Sequence, residues 1–94
     1  MNMDCNRVHL YISGRVQGVF FRHNTMKRAM ELGLTGWVRN RSDGTVETVF
    51  EGPLKQVREM IEWSHSGVPP AVVTDVDEKW EDPTGEFDSF GVMY

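Results

Sequence analysis

The residues best suited to chemistry lie in one short run, Gly14-Arg15-Val16-Gln17-Gly18-Val19-Phe20-Phe21-Arg22. Gly14 and Gly18 allow the backbone to curl so that successive N–H groups turn inward, and a helix is expected from about Arg22. Such a nest at a helix N-terminus suits an anion such as phosphate. The planar fork of Arg22 can grip two phosphoryl oxygens. A cation in a helix's first turn otherwise opposes the helix dipole, and an anion between the two removes that conflict. The run has neither the Gly-Lys-Ser/Thr of a Walker loop nor a full G-x-G-x-x-G dinucleotide fingerprint. On loop shape alone, a structural turn followed by a solvated arginine stands as the alternative.

A second segment, Gly36-Trp37-Val38-Arg39-Asn40-Arg41-Ser42-Asp43-Gly44-Thr45-Val46, places Asn40 at a strand end. Taken by itself that is turn chemistry, where asparagine is common. His9, His23 and His65 fall on three elements without metal-ligand spacing and read as surface or packing residues, His23 being notable for adjoining Arg22. Asp75, Asp77 and Glu78 read as a solvated face, since a calcium loop would need its glycine and its twelfth-position glutamate. Trp37, Phe20 and Phe21 read as core and loop packing. No metal and no cofactor is expected.

These residues need elements to hold them. Val8 to Ser13 alternates in period two, with Val8, Leu10 and Ile12 on one face of a strand. Met26, Ala29 and Met30 recur at helical spacing, and Gly33 supplies a stop. Gly36 to Asn40 and Thr45 to Glu51 read as strands joined by a tight Asp43-Gly44 hairpin, the second with Val46, Thr48 and Phe50 on one face. Gly52-Pro53 opens a second helix with a Leu54, Val57, Ile61 stripe. Ala71 to Trp80 reads as a long strand with Val72, Thr74, Val76 and Trp80 alternating. Residues 81–88 form a loop, and Ser89 to Tyr94 a short final strand. The expected fold class is α+β: a ferredoxin-like sandwich, βαββαβ plus that final strand, with two helices on one face of a mainly antiparallel sheet.

The chain has 94 residues, 39% hydrophobic and 26% charged, which fits one domain over 1–94 with a flexible tail at 1–6. Its net charge of −4 argues against a general nucleic-acid or anionic-membrane surface. Cys5 is the only cysteine, so no internal disulfide and no thiolate zinc site is expected, and it reads as an inert thiol. No apolar run approaches the ~20 residues of a membrane span, and no signal peptide is visible. The expectation is a cytoplasmic monomer.

Together, the two segments resemble the acylphosphatase family. Val16-Gln17-Gly18-Val19-Phe20-Phe21-Arg22 reads like its first signature, and Gly36-Trp37-Val38-Arg39-Asn40 with Gly44-Thr45-Val46 and Gly52 is similar to its second. The resemblance weakens before Arg7 and over 69–88, and Met93 stands where many members carry a basic residue. It implies metal-independent hydrolysis of a small-molecule acyl phosphate to a carboxylate and inorganic phosphate by in-line attack of water. Arg22 would bind the phosphoryl group and Asn40 would orient the water. The backbone of Arg15, Val16, Gln17, Gly18, Val19, Phe20 and Phe21 would form the cradle. The chemistry is coherent without the family: a carboxylate leaves without a strong general acid, so holding the oxygens and placing the water suffice. An amide is a poor base, so a phosphoryl oxygen of the substrate is expected to take the proton. A nucleic-acid module and a phosphate-sensing domain without turnover are the rival classes.

Overall fold

Strand β1 (Asn6–Arg15) follows its alternation: Val8, Leu10 and Ile12 are wholly buried, while Arg7, His9 and Tyr11 face the other way. The computed structural model describes residues 4–94. Of the tail expected over 1–6, residues 1–3 lie outside the described ones, and Asn6 already pairs with Gly52. The order continues α1 (Phe21–Glu31), β2 (Thr35–Asn40), β3 (Val46–Gly52), α2 (Leu54–Ser64), β4 (Val72–Glu81) and β5 (Phe90–Met93). The strands lie in the order β4-β1-β3-β2-β5. All pairings are antiparallel except β2 with β5, which is parallel. The expected sandwich with an added strand is therefore the observed architecture.

Both helices pack on the face carrying Val8, Leu10 and Ile12. Phe21 and Ala29 of α1 and Val57, Met60 and Ile61 of α2 close the core with Val46, Phe50 and Val38 from the sheet. Gly33 ends α1 as expected, with φ near +70°. Its N–H donates to Met30 O, and Leu34 N–H donates to Ala29 O, the paired bonds of a Schellman cap. Gly36, in the left-handed region, faces β3 so closely that a Cβ there would strike the Val49 carbonyl. Among the described residues no helix is long and apolar enough to cross a membrane.

The long strand β4 departs from its expected pattern. A bulge between Ser13 and Gly14 of β1 shifts the β1–β4 register. Consequently Val73 and Val76 pack against the core, while Val72 and Thr74 are exposed. Gly14 sits at this bulge with φ near +125°, where a Cβ would collide with the Val72 carbonyl oxygen. Its glycine thus serves the sheet as well as the loop that follows.

The sheet's opposite face carries an ion-pair network. Arg7 reaches Glu51 at 3.0 Å, Glu81 at 2.8 Å and Glu86 at 3.1 Å. His9 sits between Glu47 at 2.6 Å and Glu81 at 3.1 Å, and Arg39 meets Glu47 at 2.7 Å. Glu51 also accepts N–H bonds from Thr84 and Gly85, pinning the 82–89 loop to the sheet. Burial alone would raise the pKa of Glu51, but its donors outweigh burial and hold it below the usual carboxylate range. The same balance, with Arg39 and His9 as donors, lowers Glu47. Cys5 is exposed, and slight burial together with the charges of Glu51 and Asp4 raises its thiol pKa.

Candidate active site

The loop from Val16 to Phe20 joins β1 to α1 and is anchored by two apolar pegs, Val16 and Val19, both buried. Gly18 between them adopts φ near +73° with open space at its Cβ position, so its role is conformational. Phe20 caps α1 in the left-handed region at φ +61°, the one non-glycine residue with positive φ among those described. Helix α1 begins at Phe21, one residue before the expected start, which places Arg22 in its first turn. That turn holds no acidic residue, and no side chain caps it. Among the described residues, no N–H from Gln17 to Phe20 donates to a protein acceptor. The positive helix end, these unspent donors and Arg22 all favour an anion in the same place.

Arg22 is half-buried. Its guanidinium lies 4.8 Å from the centroid of the Tyr94 ring and donates a long, 3.5 Å bond to the Met93 carbonyl. Parallel pairing of β5 with β2 puts Val38 beside Val92 and Arg39 beside Met93. The final strand thereby meets both the arginine and the strand that ends in Asn40. Oδ1 of Asn40 is shielded from solvent and accepts no hydrogen bond, the one such side-chain atom among the described residues. A buried acceptor with no donor is a standing demand for one, and water is the usual supplier.

One cavity of about 540 Å³ joins these parts. Val16, Gly18, Phe20, Phe21, Arg22, His23 and Asn40 line it, together with Met26, Val92 and Tyr94. Six of the nine expected site residues are thus brought together. The other three, Arg15, Gln17 and Val19, are not on its wall: Arg15 is the exposed last residue of β1, and Val19 points to the core. No aspartate or glutamate lines the cavity. Among the described residues no group of three or more His, Cys, Asp or Glu side chains is arranged to hold a metal.

Gln17 has a role that the sequence did not reveal. Its Nε2 donates to Arg41 O at 2.8 Å and Thr45 O at 2.9 Å, stitching the loop to the β2–β3 hairpin beside Asn40. The partners lie 24 and 28 residues away, so no local pattern could announce them. The hairpin itself is wider than a two-residue turn. Gly44 takes φ near +92° and bonds back to Arg41 O, while Arg41 N–H donates to Thr45 O. Asp43 accepts from the Thr45 hydroxyl and N–H, and those bonds lower its pKa. Phe20 also departs from expectation: its neighbours do the packing, and it is itself 79% exposed and lines the cavity.

A family model described as Acylphosphatase matches residues 8–92. A relative from Pelotomaculum thermopropionicum, named acylphosphatase, is 49% identical over 88 residues, covering 94% of this chain and 96% of its own. The structure of an acylphosphatase from Coxiella burnetii matches with a TM-score of 0.93 at 38% identity, over 99% of this chain and 100% of that one. The crystal structure of acylphosphatase from Bacillus subtilis matches with a TM-score of 0.91 at 34% identity, over 95% and 99%.

Proposed function

Since this chain belongs to the acylphosphatase family and hydrolyses the carboxyl–phosphate bond of acyl phosphates, we propose how its own residues carry out that reaction. The phosphoryl group sits in the loop, its oxygens held by backbone N–H groups of Arg15 to Phe21 and by the fork of Arg22. Asn40 Oδ1 accepts a hydrogen bond from a water and aligns it with the phosphorus, opposite the bridging oxygen. The water oxygen bonds to phosphorus as the P–O bond to the acyl group breaks. The carboxylate departs with the bonding pair and needs no proton at neutral pH. The water's proton passes to a phosphoryl oxygen, a route consistent with a cavity wall that carries no aspartate or glutamate. The observation that carries this reading is that Asn40, whose Oδ1 has no partner, lines the same cavity as Arg22.

The reading routes no step through a metal and treats the chain as a cytoplasmic monomer with a single domain. Its test is turnover of benzoyl phosphate in excess chelator, with inorganic phosphate added as product. Activity is expected to persist. Phosphate is expected to raise the apparent KM and leave kcat unchanged, because it keeps the group that the cradle binds. Loss of turnover in chelator, restored by magnesium, would sink the metal-free route; a fall in kcat alone would place phosphate elsewhere.

A further inference from the structure

The cavity has room for more than a phosphoryl group. At about 540 Å³ it is the size of pockets that enclose small organic ligands, which run from roughly 300 to 1,000 Å³. Beyond the rest of the cradle and Asn40, its wall includes the apolar or aromatic residues Phe20, Met26, Val92 and Tyr94.

Phe20 is the telling residue. The residue is 79% exposed, although phenylalanine is a residue type that folding normally buries. Its backbone is held at φ +61°, where a non-glycine residue is strained. Loop packing does not account for either feature, because Val19 and Phe21 on each side fill the core. Strain of this kind collects where a ligand is clamped. Tyr94 adds a second ring, already seated over the guanidinium of Arg22. In an acyl phosphate a single bridging oxygen separates the acyl carbon from phosphorus. With the phosphoryl group at Arg22, the acyl chain must therefore begin among these residues.

We propose that Phe20 and Tyr94 form the walls of an acyl subsite that favours aromatic or bulky apolar acyl groups over small ones. The proposal rests on the placement of the phosphoryl group given above and adds the class of acyl group. Both rings give apolar area to the leaving half and nothing to the phosphate, so they separate substrates that differ only in that half.

The test compares kcat/KM for benzoyl phosphate and acetyl phosphate in the parent, Phe20→Asn, Phe20→Leu and Tyr94→Ala. Asparagine accepts the left-handed backbone, so Phe20→Asn removes the ring without forcing the turn open. The ratio of the two substrates is the readout, because damage to the cradle lowers both alike. The benzoyl-to-acetyl ratio is expected to fall about tenfold in Phe20→Asn and in Tyr94→Ala, the low end of what apolar pocket contacts discriminate. It is expected to stay within about threefold of the parent in Phe20→Leu, which keeps an apolar side chain. A ratio unchanged in either ring-removing variant overturns the subsite, as does a fall in Phe20→Leu equal to that in Phe20→Asn. A parent that turns over neither substrate overturns the phosphoryl placement as well, which separates that failure from failure of the subsite alone.

Discussion

In the proposed mechanism Asn40 and Arg22 divide the work between nucleophile and phosphoryl group, and substitution can tell the two roles apart. In Asn40→Ala the water loses its guide while the cradle stays. Steady-state kinetics should show kcat down roughly 10²–10³-fold, the usual effect of deleting one positioned polar group, with little change in KM or phosphate inhibition. Asn40→Asp decides between water positioning and base catalysis. A carboxylate is the better base, yet it places negative charge beside the phosphoryl dianion and loses the N–H donors. It should be nearly inactive and bind phosphate more weakly than Asn40→Ala; an active Asn40→Asp enzyme would mean general-base chemistry. Arg22→Lys keeps the charge but not the fork or the stacking on Tyr94. Losing one charged hydrogen bond costs about 1.5–3 kcal/mol, so kcat/KM should drop more than tenfold, and a variant within about twofold of the parent would argue against a two-pronged grip. Both candidates came from the sequence through the resemblance of their two runs to the family signatures; by residue type alone, Arg22 also allowed a solvated arginine and Asn40 a plain turn residue. Phe20 was not, because no pattern in the chain distinguishes a packed aromatic from one turned outward by a left-handed cap.

At the scale of elements, the candidate site lies where a β1–α1 loop is held against a β2–β3 hairpin. Gln17 does this with both hydrogens of one amide. Gln17→Ala loses two bonds, at about 0.5–1.5 kcal/mol each, and should lower the thermal midpoint while reducing kcat/KM through a looser loop. Gln17→Glu should be worse than Gln17→Ala by both measures, since a carboxylate cannot donate to two carbonyls and repels them. If the two variants behave alike, the stitch contributes little. The elements themselves were readable from period-two and helical spacing, from Gly33 as a stop and from Pro53 before α2. What spacing could not show was the bulge at Ser13 and Gly14, which moves Val73 inward in place of Val72 and Thr74. A bulge is a property of two paired strands, and the partners here are some 60 positions apart in register, Gly14 with Val73. The hairpin's width escaped for a related reason: Asp43-Gly44 fits a two-residue turn locally, but the Asp43–Thr45 bonds favour the longer loop.

For the molecule as a whole, one face of the sheet is held by packing and the other by charge. The carboxylates of Glu51 and Glu47 titrate below their ordinary range in the fold. A depressed folded pKa means that their contribution is full at neutral pH and is lost as pH falls through the carboxylate range, near 4.3 in the unfolded chain. Denaturant unfolding from pH 7 to pH 3 should show stability declining on that side. Glu51→Gln should begin lower at pH 7, by about 1–3 kcal/mol for the lost charged bonds, and decline less steeply; parallel curves for parent and variant would remove Glu51 from the acid response. The remaining edge of the sheet behaves differently. Strand β5 is four residues long, is paired on one side only, and brings Val92 and the Tyr94 end to the cavity. A short edge strand opens at a smaller free energy than the core strands beneath it. Each time it frays, the cavity loses part of its wall while the loop, Asn40 and the helices stay folded. In the proposed mechanism turnover is then an average over docked and undocked edges, and it is expected to fade on heating before the fold does, so that the catalytic lifetime of the molecule is set by its shortest edge strand.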